Sequence, residues 1–346
     1  MHDLTHTIIA QDARDILDAV DLSELAGKSI LVTGASGLLG TYFMACLREL
    51  ATRGQGPVTT CAIVQSAVAP AMAALHDFPG ATDVQADLSD TRNICDLGQF
   101  DFIVHAAGYG QPGRFMEDQI KTVKLNTNAT MALFEHLQPR GRFLFLSTSE
   151  VYSGLEASAY REDQIGTTNT DHPRACYIEA KRCGEAVCNI YHRMGLHAAS
   201  ARLALAYGPG TRPGDRRVIN AFVERGIRNG KVHLQDTGTA RRTYCYVSDA
   251  IEILWHILLR GTRPIYNVGG KSRITIAELA DRIGVLLGVP VEYPLTDDAI
   301  GGAPADVCLD MSRVEQEFGK KDYIDLSLGL ERTVNWQKAL YSQAQT

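Results

Sequence analysis

The chain has 346 residues, 45% of them hydrophobic and 21% charged, which is the composition of an ordinary globular protein. That length is long for one core and predicts one large domain with a smaller lobe. A net charge of −6 argues against a nucleic-acid surface or an acidic-membrane binder, and no apolar run approaches the roughly 18 residues of a membrane span. Asp3, Asp12, Asp15 and Asp18 do not suit a signal or transit peptide. The eight cysteines include no C-x-x-C pair and read as buried, reduced cytoplasmic thiols, with neither a metal site nor disulfides expected.

In residues 1–26, Ile8, Ile9, Ala13, Ile16, Leu17 and Val20 fall near helical spacing, predicting a leading helix against the main domain or a partner subunit. Ile30, Leu31 and Val32 then suit a buried parallel strand. Gly34, Gly37 and Gly40 follow, with Ser36, Leu38 and Leu39 between them, and residues 42–50 read as an amphipathic helix. A strand, a glycine turn and a helix N-terminus form an anion site, because exposed N–H groups and the positive end of the helix dipole face a dinucleotide's pyrophosphate. Residues 58–64 make a second buried strand. An acidic residue at its end would favour NAD and an arginine NADP; Gln65 and Ser66 are neither, so this position does not choose.

Ala86-Asp87-Leu88 places an Asp-Leu pair beside the expected adenine position. Residues 102–108 read as a strand running into Ala106, Ala107 and Gly108, small enough for a nicotinamide ribose to lie against the backbone. His105 reads as a core histidine at the strand end. The loop of residues 109–115, with Gln111, lies where open α/β sheets bind substrates. Residues 122–136, carrying Asn126, read as one long helix. Residues 143–146 form a strand that delivers Ser147, Thr148, Ser149, Glu150, Val151 and Tyr152. Residues 176–193 read as a helix with Tyr177 and Lys181 four apart on one face. A strand over 198–205 ends near Tyr207. Residues 216–230 look helical, 231–234 extended, and Asp249 is the expected N-cap of a helix over 250–260. A strand at 265–268 and helices over 276–287 and 326–341 complete the pattern.

Thr148, Tyr177 and Lys181 supply a mechanism. A tyrosine with pKa ~10 is a poor base at neutral pH, and a lysine one turn away favours its phenolate. Tyr177 would take the proton of a substrate hydroxyl while Thr148 holds the oxygen.

The G-x-x-G-x-x-G turn, the small-residue strand, Thr148 and the Tyr177/Lys181 pair, in that order, resemble an extended short-chain dehydrogenase/reductase of the nucleotide-sugar epimerase/dehydratase family over residues 28–340. The nearest likeness within it is to the UDP-glucuronate decarboxylases. It is carried by residues 119–124, by Thr148 to Tyr152, by Cys176-Tyr177, Lys181-Arg182 and Tyr207-Gly208-Pro209, and by Arg242 with Tyr246-Val247-Ser248-Asp249. The resemblance implies a Rossmann-type doubly wound parallel sheet with a smaller C-terminal α+β substrate lobe. It further implies tightly bound NAD, transient oxidation at the sugar C4, a nucleotide-diphosphate sugar as substrate, and a homodimer built on the helices of Asn126 and Tyr177. Tyr207, Arg217, Asn220 and Arg242 would grip the nucleotide. The implied division is a helical lead (1–26), a dinucleotide-binding domain (27–205 with 243–270) and a sugar-binding lobe (206–242 with 271–346).

Departures bear on the reaction. Dehydratases of this family read Thr-Asp-Glu where Ser149 stands, so dehydration is disfavoured. The Arg-Lys-Pro-Asp run of the decarboxylases aligns with Val307-Cys308-Leu309-Asp310, which lacks the arginine, and Leu205 replaces an asparagine. Glu150 is a candidate base at C5. Decarboxylation and epimerisation at C4 or C5 stay open, beside a reading of another class, a non-catalytic dinucleotide sensor. Such sensors commonly lose the tyrosine or lysine that this chain keeps.

Overall fold

The computed structural model of the protein describes residues 2–294 and 308–343. In chain order the elements are α1 (His2–Ala19), β1 (Ser29–Thr33), α2 (Leu38–Thr52), β2 (Thr59–Val64), α3 (Pro70–Ala73), β3 (Ala81–Gln85), β4 (Phe100–His105), α4 (Pro112–Glu117), α5 (Gln119–Asn126), α6 (Asn128–Phe134) and β5 (Leu137–Thr148). Then come α7 (Ala175–Arg193), β6 (His197–Leu203), β7 (Leu205–Tyr207), α8 (Val218–Asn229), β8 (Val232–His233), β9 (Arg241–Tyr246), α9 (Val247–Arg260), β10 (Ile265–Val268), β11 (Ser272–Thr275), α10 (Ile276–Leu287), β12 (Val291–Glu292), α11 (Ser312–Phe318) and α12 (Leu326–Gln343).

Seven strands form a parallel sheet in the order β3-β2-β1-β4-β5-β6-β10. Its central strands are apolar on both faces because helices cover both: Leu31 and Ile103 pack with the α5–α7 side, Ile30 and Val32 with the α2 and α9 side. The order reverses between β1 and β4, and the crevice beyond the carboxyl ends of those strands is where a doubly wound sheet receives its ligand. A smaller sheet, β11-β9-β7, and the pair β12-β8 lie with α8, α10 and α12. The leading helix α1 packs on α2, α9 and α12.

Several expectations are corrected. Residues 122–136 are not one helix: α5 ends at Asn126, and Thr127 and Asn128 bond to each other through their side chains (Oγ1 to Oδ1, 3.0 Å), competing with helical continuation. The strand expected over 198–205 divides at Ala204, and β7 joins the small sheet. Asp249 is no N-cap. Helix α9 starts at Val247, and the Asp249 carboxylate instead receives Lys320 Nζ at 2.8 Å and the Ile324 N–H at 2.9 Å. Not all the thiols are buried: Cys95 and Cys183 are exposed.

Candidate active site

The turn after β1 fixes one wall of the site. Gly34 has φ 66°, and a Cβ there would stand 2.7 Å from the Ala106 carbonyl oxygen, so only glycine lets β1 and β4 end this close together. A Cβ on Gly40 would collide with the Gly34 carbonyl oxygen, which seats the first turn of α2 against the loop. The N-terminus of α2 therefore opens into a cleft of about 370 Å³. Gly34, Ser36, Gly37, Leu38, Leu39, Gly40, Gln65, Asp87, Leu88, Ala106, Ala107 and Gly108 line it, together with Thr148, Ser149, Glu150, Tyr177 and Lys181. Asn126 lies just behind. It is fully buried, its Nδ2 donates to the Thr122 carbonyl at 2.8 Å, and its Oδ1 is unpartnered, 3.5 Å from where a Gly108 Cβ would stand. A glycine cradle at a helix N-terminus, a small-residue wall and a spare amide oxygen behind it fit a dinucleotide. Asp87 accepts Lys121 Nζ at 2.6 Å; burial opposes its ionisation, but Lys121 and Ser89 more than offset this and hold its pKa below the ordinary value.

At the other end, β5 delivers Thr148, whose Oγ1 accepts the Glu150 N–H at 3.2 Å and so caps the turn at residues 149–152. Helix α7 presents Tyr177 and Lys181, both buried. Beneath them Glu185 accepts Ser147 Oγ at 2.5 Å and Arg202 Nη2 at 2.7 Å, tying β5, β6 and α7 into one frame. Burial raises the Tyr177 pKa above its ordinary value and Glu150 adds to the rise, while Thr148, Arg174 and Arg217 work against it. Burial lowers Lys181 to about 7, and its Nζ donates to the Leu146 carbonyl at 2.5 Å. That amine stands 5.9 Å from the Tyr177 ring centre, one helical turn along the same face of α7. Glu150 is raised by burial, with Arg174 opposing the rise through an ion pair. His105 is internal: Nδ1 meets Thr33 Oγ1 at 2.8 Å and Nε2 the Leu125 carbonyl at 3.1 Å.

Of the expected substrate-binding residues, Gln111 and Arg217 line the cleft, and Arg217 is paired with Asp215 at 2.7 Å. Tyr207, Asn220 and Arg242 do not line it. The ring of Tyr207 packs on Tyr244 and Tyr246, Asn220 accepts Gln337 Nε2 at 2.9 Å between α8 and α12, and Arg242 Nη1 donates to the Arg241 carbonyl at 2.6 Å. Val307 lies outside the described residues. Its neighbours Cys308 and Asp310 pair with Tyr160, away from the cleft lining. Sequence reasoning missed Arg174 and Phe115: the guanidinium stands 5.5 Å over the Phe115 ring, which stacks on Tyr177 at 4.5 Å and 1°. The signal for Arg174 was its place three residues before Tyr177; nothing in the sequence pairs Phe115 with it.

The sequence pattern of the NAD dependent epimerase/dehydratase family matches residues 30–269. UDP-glucuronic acid decarboxylase 6 of Arabidopsis thaliana is 27% identical over 316 residues, 87% of this chain and 86% of that protein. A dTDP-glucose 4,6-dehydratase of Streptomyces niveus is 27% identical over 317 residues, 89% of this chain and 92% of its own. The fold is that of the crystal structure of DesIV, a dTDP-glucose 4,6-dehydratase from Streptomyces venezuelae with NAD bound (TM-score 0.78, 24% identity, 91% of this chain and 98% of that one). With the dinucleotide cradle and the Thr148–Tyr177–Lys181 constellation in one cleft, this chain belongs to the NAD-dependent epimerase/dehydratase family, the enzymes that act on nucleotide sugars with NAD as cofactor.

Proposed function

We propose that the chain is a UDP-glucuronate decarboxylase-like enzyme working through transient C4 oxidation. The observation that supports this most is the convergence of Thr148, Glu150 and Tyr177 in the cleft that also carries the dinucleotide cradle. NAD, when bound, supplies reversible two-electron oxidation of the sugar at C4. Tyr177, as the phenolate that Lys181 favours, takes the C4 hydroxyl proton, and Thr148 donates to the same oxygen. The resulting 4-keto uronate is a β-keto acid: its C5–C6 bond breaks, CO₂ leaves, and the electron pair passes to the C4 oxygen that Thr148 and Tyr177 hold. Glu150, whose raised pKa suits it to carry a proton, delivers one to C5 in place of the departed carboxylate. Ser149 offers no carboxylic acid for a dehydration.

The same Glu150 favours a second reading, epimerisation at C5, in which it removes the C5 proton instead. Incubation with a panel of nucleotide sugars separates the two. UDP-glucuronate losing ~44 Da supports decarboxylation, unchanged mass with a new retention time supports epimerisation, and loss of ~18 Da would contradict both. Arg217 and Gln111 are proposed to meet the nucleotide diphosphate and sugar, guanidinium to phosphate. The active form is proposed to be a homodimer through α5 and α7. Ile120 (69% exposed) and Val123 on α5 and Ile190 on α7 offer apolar surface there, with Met194 (67% exposed) just beyond α7.

A further inference from the structure

Two guanidinium groups in the cleft take no part in the proposed chemistry and have no carboxylate partner among the described residues. The loop between β7 and α8 crosses the mouth of the cleft over the start of α2. Thr211, Arg212, Pro213 and Gly214 line the cleft, and a Cβ on Gly210 would stand 3.6 Å from both Leu38 and Thr41 of that helix. From this loop Arg212 reaches back to the glycine turn, where Nη2 donates to Ser36 Oγ at 2.6 Å and Nε to the Ser36 carbonyl at 3.1 Å. Neither acceptor carries a charge. Arg114, on α4, lines the same cleft, close enough to oppose the charge of Arg212, and has no carboxylate partner among the described residues. Two cations lining one cleft without an anion between them repel, and they are stabilised by an anion that enters. Below them lie the N-terminus of α2 and its free N–H groups, which already favour negative charge.

We propose that Arg114 and Arg212 form a clasp that closes over the pyrophosphate of the bound dinucleotide, so that NAD is held between the helix below and two guanidinium groups above. The clasp rests on NAD being the cofactor and not on which sugar is converted, so a failed decarboxylation assay leaves it standing. Its chemical sense is retention: a cofactor that is oxidised and restored within one turnover is best kept in place between turnovers, and charge-assisted contacts to phosphate slow its escape.

The test measures exchange of NAD from the purified protein against labelled NAD, together with equilibrium binding of NAD, adenosine and UDP, in the parent, Arg114→Ala, Arg212→Ala, the double variant and Arg212→Lys. Both side chains are exposed, and far-UV circular dichroism checks that the variants fold. The double variant should bind NAD about tenfold or more weakly and exchange it correspondingly faster, as expected for loss of hydrogen bonds to a charged group. Adenosine, which lacks the pyrophosphate, and UDP should bind within about twofold of the parent, and Arg212→Lys should recover part of the loss. Unchanged NAD binding in the double variant would overturn the clasp. So would equal weakening of adenosine, which marks a loosened pocket, or weakening of UDP alone, which assigns the pair to the substrate's diphosphate.

Discussion

At the scale of single residues, the site depends on how burial sets proton affinities. In the free chain burial and Glu150 raise the pKa of Tyr177, the group proposed to take the C4 proton once Lys181 and bound NAD favour its phenolate. Tyr177→Phe keeps the ring and its stack on Phe115, so it should fold and retain NAD while losing several orders of magnitude in turnover. Near-normal rates in that variant would remove Tyr177 from the proposed role. Lys181 folds with its pKa lowered from 10.5 to about 7. Between those values the unfolded chain binds a proton that the folded one does not, so stability rises with pH across that window, and below it the buried ammonium exerts its full cost. Lys181→Met abolishes the titration. Urea unfolding of the cofactor-free proteins should therefore favour the variant relative to the parent more at pH 6 than at pH 10, and an equal difference at both would contradict the assignment. Chemistry at this scale was legible where it follows chain order: the glycine spacing, Thr148 after an apolar strand, and Tyr177 four residues before Lys181. It was not legible where partners arrive from distant segments. Lys181 meets the Leu146 carbonyl across 35 residues, a contact that the Tyr177/Lys181 spacing does not announce.

Elements show the same division. Strands β1, β2, β4 and β5 announce themselves as apolar runs because both sheet faces are covered. The break at Thr127 and the passage of β7 into a second sheet depend on side-chain competition and tertiary pairing that periodicity does not encode. Helix α1 is the clearest case of tertiary control. Its spacing predicts a helix, but not that Asp12 is fully buried, accepting from Tyr42 and Tyr246 hydroxyls at 2.8 Å each and from Arg332 Nη1 at 2.7 Å. One carboxylate thus ties α1 to α2, to the end of β9 and to α12. Burial lifts its pKa from 3.8 to about 6, against the pull of both tyrosines and Arg332. The folded chain then holds a proton that the unfolded one releases between those values, so this group's contribution to stability is lost as pH rises through that window. In Asp12→Asn the urea midpoint should lack this component, and its difference from the parent should change between pH 4 and pH 6.5. A constant difference would show that Asp12 does not titrate as a buried acid.

For the whole molecule, the sheet order brings the cofactor cradle and the proposed acid–base residues to one crevice. The loop between β7 of the small sheet and α8 roofs it. The proposed homodimer follows from apolar side chains left exposed on α5 and α7, and light scattering should find about twice the 37.8 kDa of one chain. Ile120→Glu, a charge placed in that surface, should shift the mass toward the monomer. A parent protein that is monomeric at micromolar concentration would contradict the interface. The measurement that bears most directly on the central claim is the fate of deuterium placed at C4 of UDP-glucuronate, followed with no added nicotinamide cofactor. Removal and return at the same carbon, within one bound state, predicts a UDP-pentose product that keeps its deuterium at C4, together with one CO₂ per product. Deuterium lost to solvent, a requirement for a stoichiometric external reductant, or unreacted substrate would contradict it.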